Sequence, residues 1–231
     1  MAIALFDLDK TLLARNSAAL WLMWELRQGH VRLHQAALAT AWLLRYRLGH
    51  KDLEAPLRRS VGVLQGVPDA LWRSRTQAFY EAWVRPQYRR GGLAALAKHR
   101  LLGDRVVLLS STHHHLAQAV HQDLGFDDVL CTQLEVDPGG LLTGRIAGNL
   151  CFGPGKLVAA QSLCARLGAS LDACVFYTDS NSDTPVLEAV GRPVAVNPDP
   201  ALARRARRAG WPIEDWGPAV PWPPSGLRAA C

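Results

Sequence analysis

The chain has 231 residues, 49% hydrophobic and 20% charged, an ordinary globular composition that excludes a disordered or collagen-like protein. This length buries a core without help from disulfides or a structural metal. The net charge is +6, and the excess is local: residues 14–90 carry 13 Arg or Lys against 5 Asp or Glu, and the rest carries 13 against 15. A basic segment on a slightly acidic body fits a lid over an anionic ligand or a nucleic-acid surface. Five scattered cysteines with no C-x-x-C pair speak against zinc and redox motifs and for a reducing compartment. Carboxylates at Asp7 and Asp9 interrupt any signal peptide, and the longest apolar run, residues 36–44, is too short to span a bilayer. The expectation is a cytoplasmic protein without membrane partners.

Residues 3–9 (IALFDLD) form a short apolar run ending in acid, the pattern of a buried parallel strand. Residues 14–90 contain no convincing strand and read as helices near 17–28, 33–48, 53–64 and 69–84, broken at Gly29, Gly49 and Gly66-Val67-Pro68. Strand-like segments follow at 105–109, 129–136, 174–177 and 193–196, alternating with helical stretches at 92–101, 114–124, 156–167 and 184–190. The alternation predicts an α/β fold, a Rossmann-like doubly wound parallel sheet. Residues 134–146, around Asp137-Pro138-Gly139-Gly140, predict a small β-hairpin. The expected division is a core of residues 1–13 and 91–214, an inserted all-helical cap of 14–90, and a proline- and tryptophan-rich tail of 215–231 that is an irregular strap or a mobile end. Arg204-Arg205-Ala206-Arg207-Arg208 is read as a solvated helix face rather than a nucleic-acid patch.

Ligands of open parallel sheets bind beyond the carboxyl ends of the strands. Asp7 and Asp9, Ser110, and Asp179 with Asp183 all follow predicted strands, and Lys156 opens the helix after Gly153-Pro154-Gly155. Carboxylates so grouped repel one another, and Mg²⁺ held by a few oxygens relieves the repulsion. With a lysine and a hydroxyl added, the set suits a phosphoryl group. In a strand, Asp7 and Asp9 would share a face. Taken alone, Ser110-Ser111-Thr112 is equally an N-cap cluster for the next helix.

The segments FDLDKTL (6–12), VVLLSS (106–111), GPGK (153–156) and YTDSNSDTPVLEAVG (177–191) together resemble motifs I to IV of the haloacid dehalogenase-like hydrolases. The likeness is nearest to the phosphoserine-phosphatase-like subfamily IB, with its helical cap after motif I, and covers about residues 3–213. It implies a Mg²⁺-dependent phosphomonoesterase acting on a small phosphorylated metabolite, similar to phosphoserine or histidinol phosphatases. Asp7 would be the nucleophile that becomes aspartyl-phosphate, and Asp9 the acid and then the base. Ser110 would bind phosphoryl oxygens and Lys156 would neutralise the nucleophile and the phosphate. Asp7, Asp179 and the Asp9 carbonyl would hold Mg²⁺, and Asp183 would orient a metal-bound water and Lys156. Thr11 would brace the motif I loop, with Ser111 beside the phosphate site. The second acid, Asp9, disfavours halide displacement, which in this superfamily proceeds without it.

The cap departs from the subfamily. Where phosphoserine phosphatases place a glutamate for the substrate amine this chain has Asn16, and the arginine for the substrate carboxylate falls at or beside Ser60, next to Arg58 and Arg59. Asn16 supplies no full counter-charge, which puts phosphoserine in doubt. The cap tryptophans 21, 24, 42, 72 and 83 read chiefly as helix packing, with an aromatic wall for the substrate as the competing reading. His113, three residues past Ser110, is expected to line the cleft, while His114 and His115 are expected to be exposed. Alternatives from the same residues are a phosphotransferase using the same intermediate and a non-catalytic phosphate- or RNA-binding module. The expected partner is the small metabolite, with no nucleic acid, and the chain a monomer or homodimer.

Overall fold

In the computed structural model, which describes residues 2–29 and 54–220, seven strands form one sheet. They are β1 Ile3–Phe6, β2 Arg105–His113, β3 Asp128–Val136, β4 Leu142–Ala147, β5 Cys174–Thr178, β6 Arg192–Val196 and β7 Ile213–Glu214, in the order β4-β3-β2-β1-β5-β6-β7. Every neighbouring pair is parallel except β3 and β4, the arms of the expected hairpin. Ile3 to Phe6 are all buried and pair with 105–108 on one side and 174–177 on the other. A central strand covered on both faces needs an unbroken apolar run, and IALF is one.

Alternate residues feed two cores. Phe6, Leu108, Tyr177 and Val196 pack with residues of α4 Arg90–Leu101 and α5 His114–Leu124, while Leu5, Leu109, Phe176 and Ala195 pack with α6 Pro154–Leu167, α7 Thr184–Leu187 and α8 Pro200–Ala209. Helices on both faces make the sheet doubly wound, as the alternation in sequence predicts. The arginines of α8 are exposed around buried Leu202 and Ala206, in accord with a solvated face.

Between β1 and α4 lie helices α1 Ser17–Arg27, α2 Glu54–Gly62 and α3 Asp69–Phe79, the last running on through a wider turn over Tyr80–Val84. The helix expected at 33–48, with the break at Gly49, lies outside the described residues. Leu20, Trp24, Phe79, Tyr80 and Val84 belong to the same apolar cluster as Phe6 and Leu108, so these helices share a core with one face of the sheet. Polar ties reinforce the joint. The Gly66 N–H donates to the Leu142 carbonyl of the hairpin at 2.8 Å, the Leu142 N–H donates to the Val67 carbonyl at 2.9 Å, and the Tyr80 hydroxyl donates to Asp123 at 2.5 Å. His115 Nε2 lies 2.7 Å from Asp69 on α3, and His114 Nδ1 accepts from the Leu134 N–H at 3.1 Å. The expectation that both histidines are exposed is therefore corrected: α3 and β3 cover them, leaving His115 buried and His114 half-buried.

The first part of the tail is the strap. Trp216 is buried against Phe6 and Tyr177, and the Val220 N–H donates to Tyr88 at 3.0 Å. Residues 221–231 lie outside the described part. Among the described residues no helix is long and apolar enough to cross a membrane.

Gly191 links α7 to β6 with its N–H on the Leu171 carbonyl, and a Cβ there would stand 2.0 Å from the Asp172 carbonyl oxygen. Gly191→Ala is expected to lower stability by about 1–3 kcal/mol through overpacking against backbone. Gly62→Ala, where a Cβ meets nothing within 4 Å, is the matched control and is expected to lose none. Urea unfolding of the two variants checks the difference.

Candidate active site

β1 ends at Phe6, between β2 and β5, where the strand order reverses. The chain then tightens into a helical turn over Leu8–Leu12, broken at Asp9 (φ −68°, ψ 126°) and at Lys10, which sits at φ +57°. A non-glycine residue in the left-handed region carries local strain. β1 stops before Asp7, so the strand in which Asp7 and Asp9 would share a face does not reach them; both line one cavity with different bonding neighbours.

Asp7 is buried, with one oxygen accepting from Lys156 Nζ at 2.7 Å and the other from Thr11 Oγ1 at 3.3 Å. Lys156 Nζ also donates to Asp183 Oδ2 at 2.8 Å, and Thr178 Oγ1 donates to the same oxygen at 2.7 Å. Asp183 Oδ1 is buried without a partner. The Asp179 N–H donates to Thr11 Oγ1 at 2.9 Å, and its carboxylate lies 3.5 Å from Lys10 Nζ. Asp9 accepts from the Ser17 N–H at 2.7 Å, from Ser17 Oγ at 3.0 Å and from Asn16 Nδ2 at 3.1 Å. Five expected residues, Asp7, Thr11, Lys156, Asp179 and Asp183, thus form one bonded cluster, and Asp9 stands on its helical side. Lys156 reaches it because Gly153 adopts φ +50°, Pro154 opens α6, and Gly155 leaves no room for a Cβ, which would lie 1.9 Å from the Leu150 carbonyl.

β2 continues past the expected end at Leu109 to His113, with a register shift between those residues. The irregular stretch holds Ser110, Ser111 and Thr112 in the cavity wall, and Ser110 Oγ accepts from the Thr112 N–H at 3.2 Å. The N-cap of α5 is His113, with no side-chain cap bond, so the serines are not a helix cap.

The described lining carries four carboxylates, Asp7, Asp9, Asp179 and Asp183, against two ammonium groups, Lys10 and Lys156. Burial pushes Asp7 up to about 6, against the pull of Lys156, and Asp183 and Asp9 add to the rise. Burial likewise pushes Asp179 up to about 8, with Lys10 opposing and Asp7 and Asp183 adding. Asp9 is also raised, by burial, although its bonds from Ser17 pull the other way. Burial alone would lower Lys156, but Asp183 and Asp7 outweigh it and hold the ammonium protonated. A surplus of buried carboxylates, one oxygen of them unpartnered, is a donor set suited to a hard divalent cation.

These groups line a cavity of about 440 Å³ together with residues of α1, the end of α2, α3, β2 and β3. His113 lines it as expected, and burial, followed by His115 and His114, pushes its imidazole down to about 3, so it is neutral. Asn16 also lines it, but its carbonyl accepts from the Ala19 N–H as the N-cap of α1 and its amide is bonded to Asp9. Arg58 and Arg59 are exposed on α2 and are not in the described lining, whereas their neighbour Ser60 is. Trp21 and Trp72 pack against each other and against Leu134, as the packing reading expects, and both also line the cavity; Trp42 lies outside the described residues. Sequence reasoning missed Lys10 and Ser17. Lys10 stands between two residues of motif I, and Ser17 follows an N-cap asparagine, but nothing in their spacing shows that a loop turn aims them at Asp179 and Asp9.

The family model of the haloacid dehalogenase-like hydrolases matches residues 4–188. The chain is 32% identical to the phosphoserine phosphatase SerB1 of Mycobacterium tuberculosis, over 93% of this chain and 71% of that one. It is 28% identical to a histidinol-phosphatase of Neisseria meningitidis serogroup C, over 91% and 97% respectively. A crystal structure of a protein of unknown function from Bordetella pertussis Tohama I superposes with a TM-score of 0.83 at 30% identity, covering 93% of this chain and 98% of that one. With the motifs, the doubly wound sheet and the clustered carboxylates already in place, the chain belongs to the haloacid dehalogenase-like hydrolases.

Proposed function

We propose that the protein is a Mg²⁺-dependent phosphomonoesterase that works through an aspartyl-phosphate on Asp7. The observation that carries this reading is the buried bridge from Lys156 Nζ to Asp7 at 2.7 Å and Asp183 at 2.8 Å, at the strand-order reversal of the sheet. A carboxylate oxygen so held is fixed in direction, and the ammonium beside it favours the ionised form that attack at phosphorus needs, against the pull of burial. The phosphatase relatives in Mycobacterium and Neisseria support the same reaction class.

Asp7 attacks phosphorus, the P–O bond to the substrate alcohol breaks, and Asp9 gives its proton to the departing oxygen. The raised pKa of Asp9 suits a group that must start protonated. Asp9, now a carboxylate, takes a proton from water as the water attacks the aspartyl-phosphate, which releases inorganic phosphate and restores Asp7. Lys156 and the Ser110 hydroxyl meet the charge on the phosphoryl oxygens. Asp183 and Thr178 position Lys156, and Thr11 ties the Asp7 loop to Asp179. Asp7, Asp179 and the Asp9 backbone carbonyl would hold Mg²⁺, which supplies charge neutralisation for the transferring group. A phosphotransferase would use the same residues with an alcohol in place of water, and free phosphate among the products separates the two.

Asp7→Asn is expected to lower turnover of p-nitrophenyl phosphate on the order of a thousandfold or more while the protein stays folded. Wild-type turnover in that variant would remove Asp7 as the nucleophile. Lys156→Met leaves two buried carboxylates facing each other, and a loss of about 3–5 kcal/mol of stability is expected in urea unfolding near neutral pH.

The raised carboxyl groups also set a pH dependence. In the metal-free protein Asp7 and Asp179 keep protons that the unfolded chain has already released. Their contribution is complete below about pH 4 and is lost as pH rises through about 6 and then about 8. Mg²⁺ replaces those protons, so it is expected to raise Tm more at pH 8 than at pH 5. Thermal melts with Mg²⁺ or EDTA check this, and an equal or smaller effect at pH 8 would contradict it.

A further inference from the structure

The cavity is sorted by charge. Every charged side chain of its described lining belongs to the cluster already assigned to phosphate: Asp7, Asp9, Lys10, Lys156, Asp179 and Asp183. Apart from that charged cluster, Trp21, Val61, Leu64, Trp72 and Leu134 pack as one apolar cluster that also lines the cavity, with Val63 beside them in the lining. Trp21 is half-buried and Val63 is 78% exposed, so this wall holds apolar surface that nothing in the described chain covers. The rings are fixed before anything binds. Trp21 lies 4.8 Å from Trp72, 4.9 Å from Trp24 and 4.8 Å from Phe79, centroid to centroid, in edge and tilted contacts. Among the described residues, two polar groups of the lining outside the charged cluster carry no net charge: Asn16 is bonded to Asp9 and to the first turn of α1, and His113, 5.8 Å from Trp72 between ring centroids, is neutral.

We propose that the substrate's organic part is an uncharged aromatic or branched aliphatic group that lies against Trp21, Trp72 and Val63, and that an ester bearing an ammonium and a carboxylate is selected against. The proposal rests on the phosphomonoesterase reading and names the substrate class of that site. An apolar group gains by covering exposed Val63 and the open side of Trp21, at roughly 25 cal/mol for each Å² removed from water. A zwitterionic group would lose the hydration of two charges and meet, among the described residues there, apolar side chains and neutral amide, hydroxyl or imidazole groups, a net penalty. The imidazole of His113 leaves room in this class for one hydroxyl or carbonyl on the ligand.

The test compares esters of primary alcohols, so that the leaving groups are alike: 2-phenylethyl phosphate, O-phosphoserine and methyl phosphate, each with Mg²⁺. The expected kcat/KM for 2-phenylethyl phosphate exceeds that for O-phosphoserine by about tenfold or more. Val63→Asp puts a charge on the wall at an exposed position that the fold does not depend on. It is expected to lower kcat/KM for 2-phenylethyl phosphate by about tenfold, chiefly through KM, and to leave methyl phosphate within about twofold. Trp72→Ala is a second probe with the same expected pattern, read only if its melting transition stays cooperative. Turnover of O-phosphoserine equal to or better than that of 2-phenylethyl phosphate overturns the proposal, as does a Val63→Asp enzyme that treats 2-phenylethyl phosphate as wild type does. Absence of Mg²⁺-dependent phosphate release from p-nitrophenyl phosphate and from all three esters would overturn the phosphomonoesterase reading instead, so the two failures are distinguishable.

Discussion

One buried ammonium group holds the site together. Lys156 is 2% exposed and lies within 2.8 Å of two carboxylates that come from opposite ends of the chain, Asp7 after β1 and Asp183 after β5. Removed from water, those carboxylates would repel each other; the lysine between them offsets that repulsion and fixes both in place. The local sequence serves that one contact. Gly153, Pro154 and Gly155 bring α6 close enough to the Leu150 carbonyl for Lys156 to enter the cluster, and Thr178 fills the remaining bonding capacity of the oxygen that Asp183 gives to the lysine. Thr11 then links the Asp7 loop to Asp179, so the ends of β1 and β5 are joined by side chains as well as by the ladder.

The sheet could be read directly from the residues because its strands are buried on both faces, and such strands leave uninterrupted apolar runs. IALF, VVLL and CVFY each do so, and the acids and the serine that follow them mark the exits. What escaped the reading depends on contacts between remote elements or on a single backbone dihedral. Lys10 reaches toward Asp179 from a backbone turn at φ +57°, and Asp9 finds its partners in Asn16 and Ser17, beyond that turn. β2 runs four residues past Leu109 because β3 accepts it across a register shift, which local composition does not record. His114 and His115 begin an amphipathic helix and look exposed by local pattern, yet α3 and β3 close over them through Asp69 and the Leu134 N–H. Asn16 shows the same limit in reverse. It looks available to a ligand, but the chain uses it twice, to cap α1 and to hold Asp9.

The inserted helices and the sheet are parts of one packing problem. Trp24, Phe79 and Tyr80 lie in the same apolar cluster as Phe6 and Leu108, so the wall of the cavity and the floor beneath its carboxylates are braced by shared neighbours. Well-packed interiors transmit small displacements instead of absorbing them. The helical side thus reaches both kinds of lining: Ser17, the first residue of α1, holds Asp9, and Trp21, one helical turn later, stands among the apolar residues of the cavity.

The central claim is that Asp7 carries the phosphoryl group between two half-reactions that Asp9 serves in turn. Mass spectrometry of an Asp9→Asn variant, quenched in acid after exposure to p-nitrophenyl phosphate and Mg²⁺, tests it most directly. An aryl leaving group departs without an acid, but hydrolysis of the intermediate still lacks its base, so a phosphoryl adduct is expected to accumulate on the peptide that contains Asp7. A burst of p-nitrophenol with no adduct on that peptide, or with the phosphoryl group on another residue, would contradict the account.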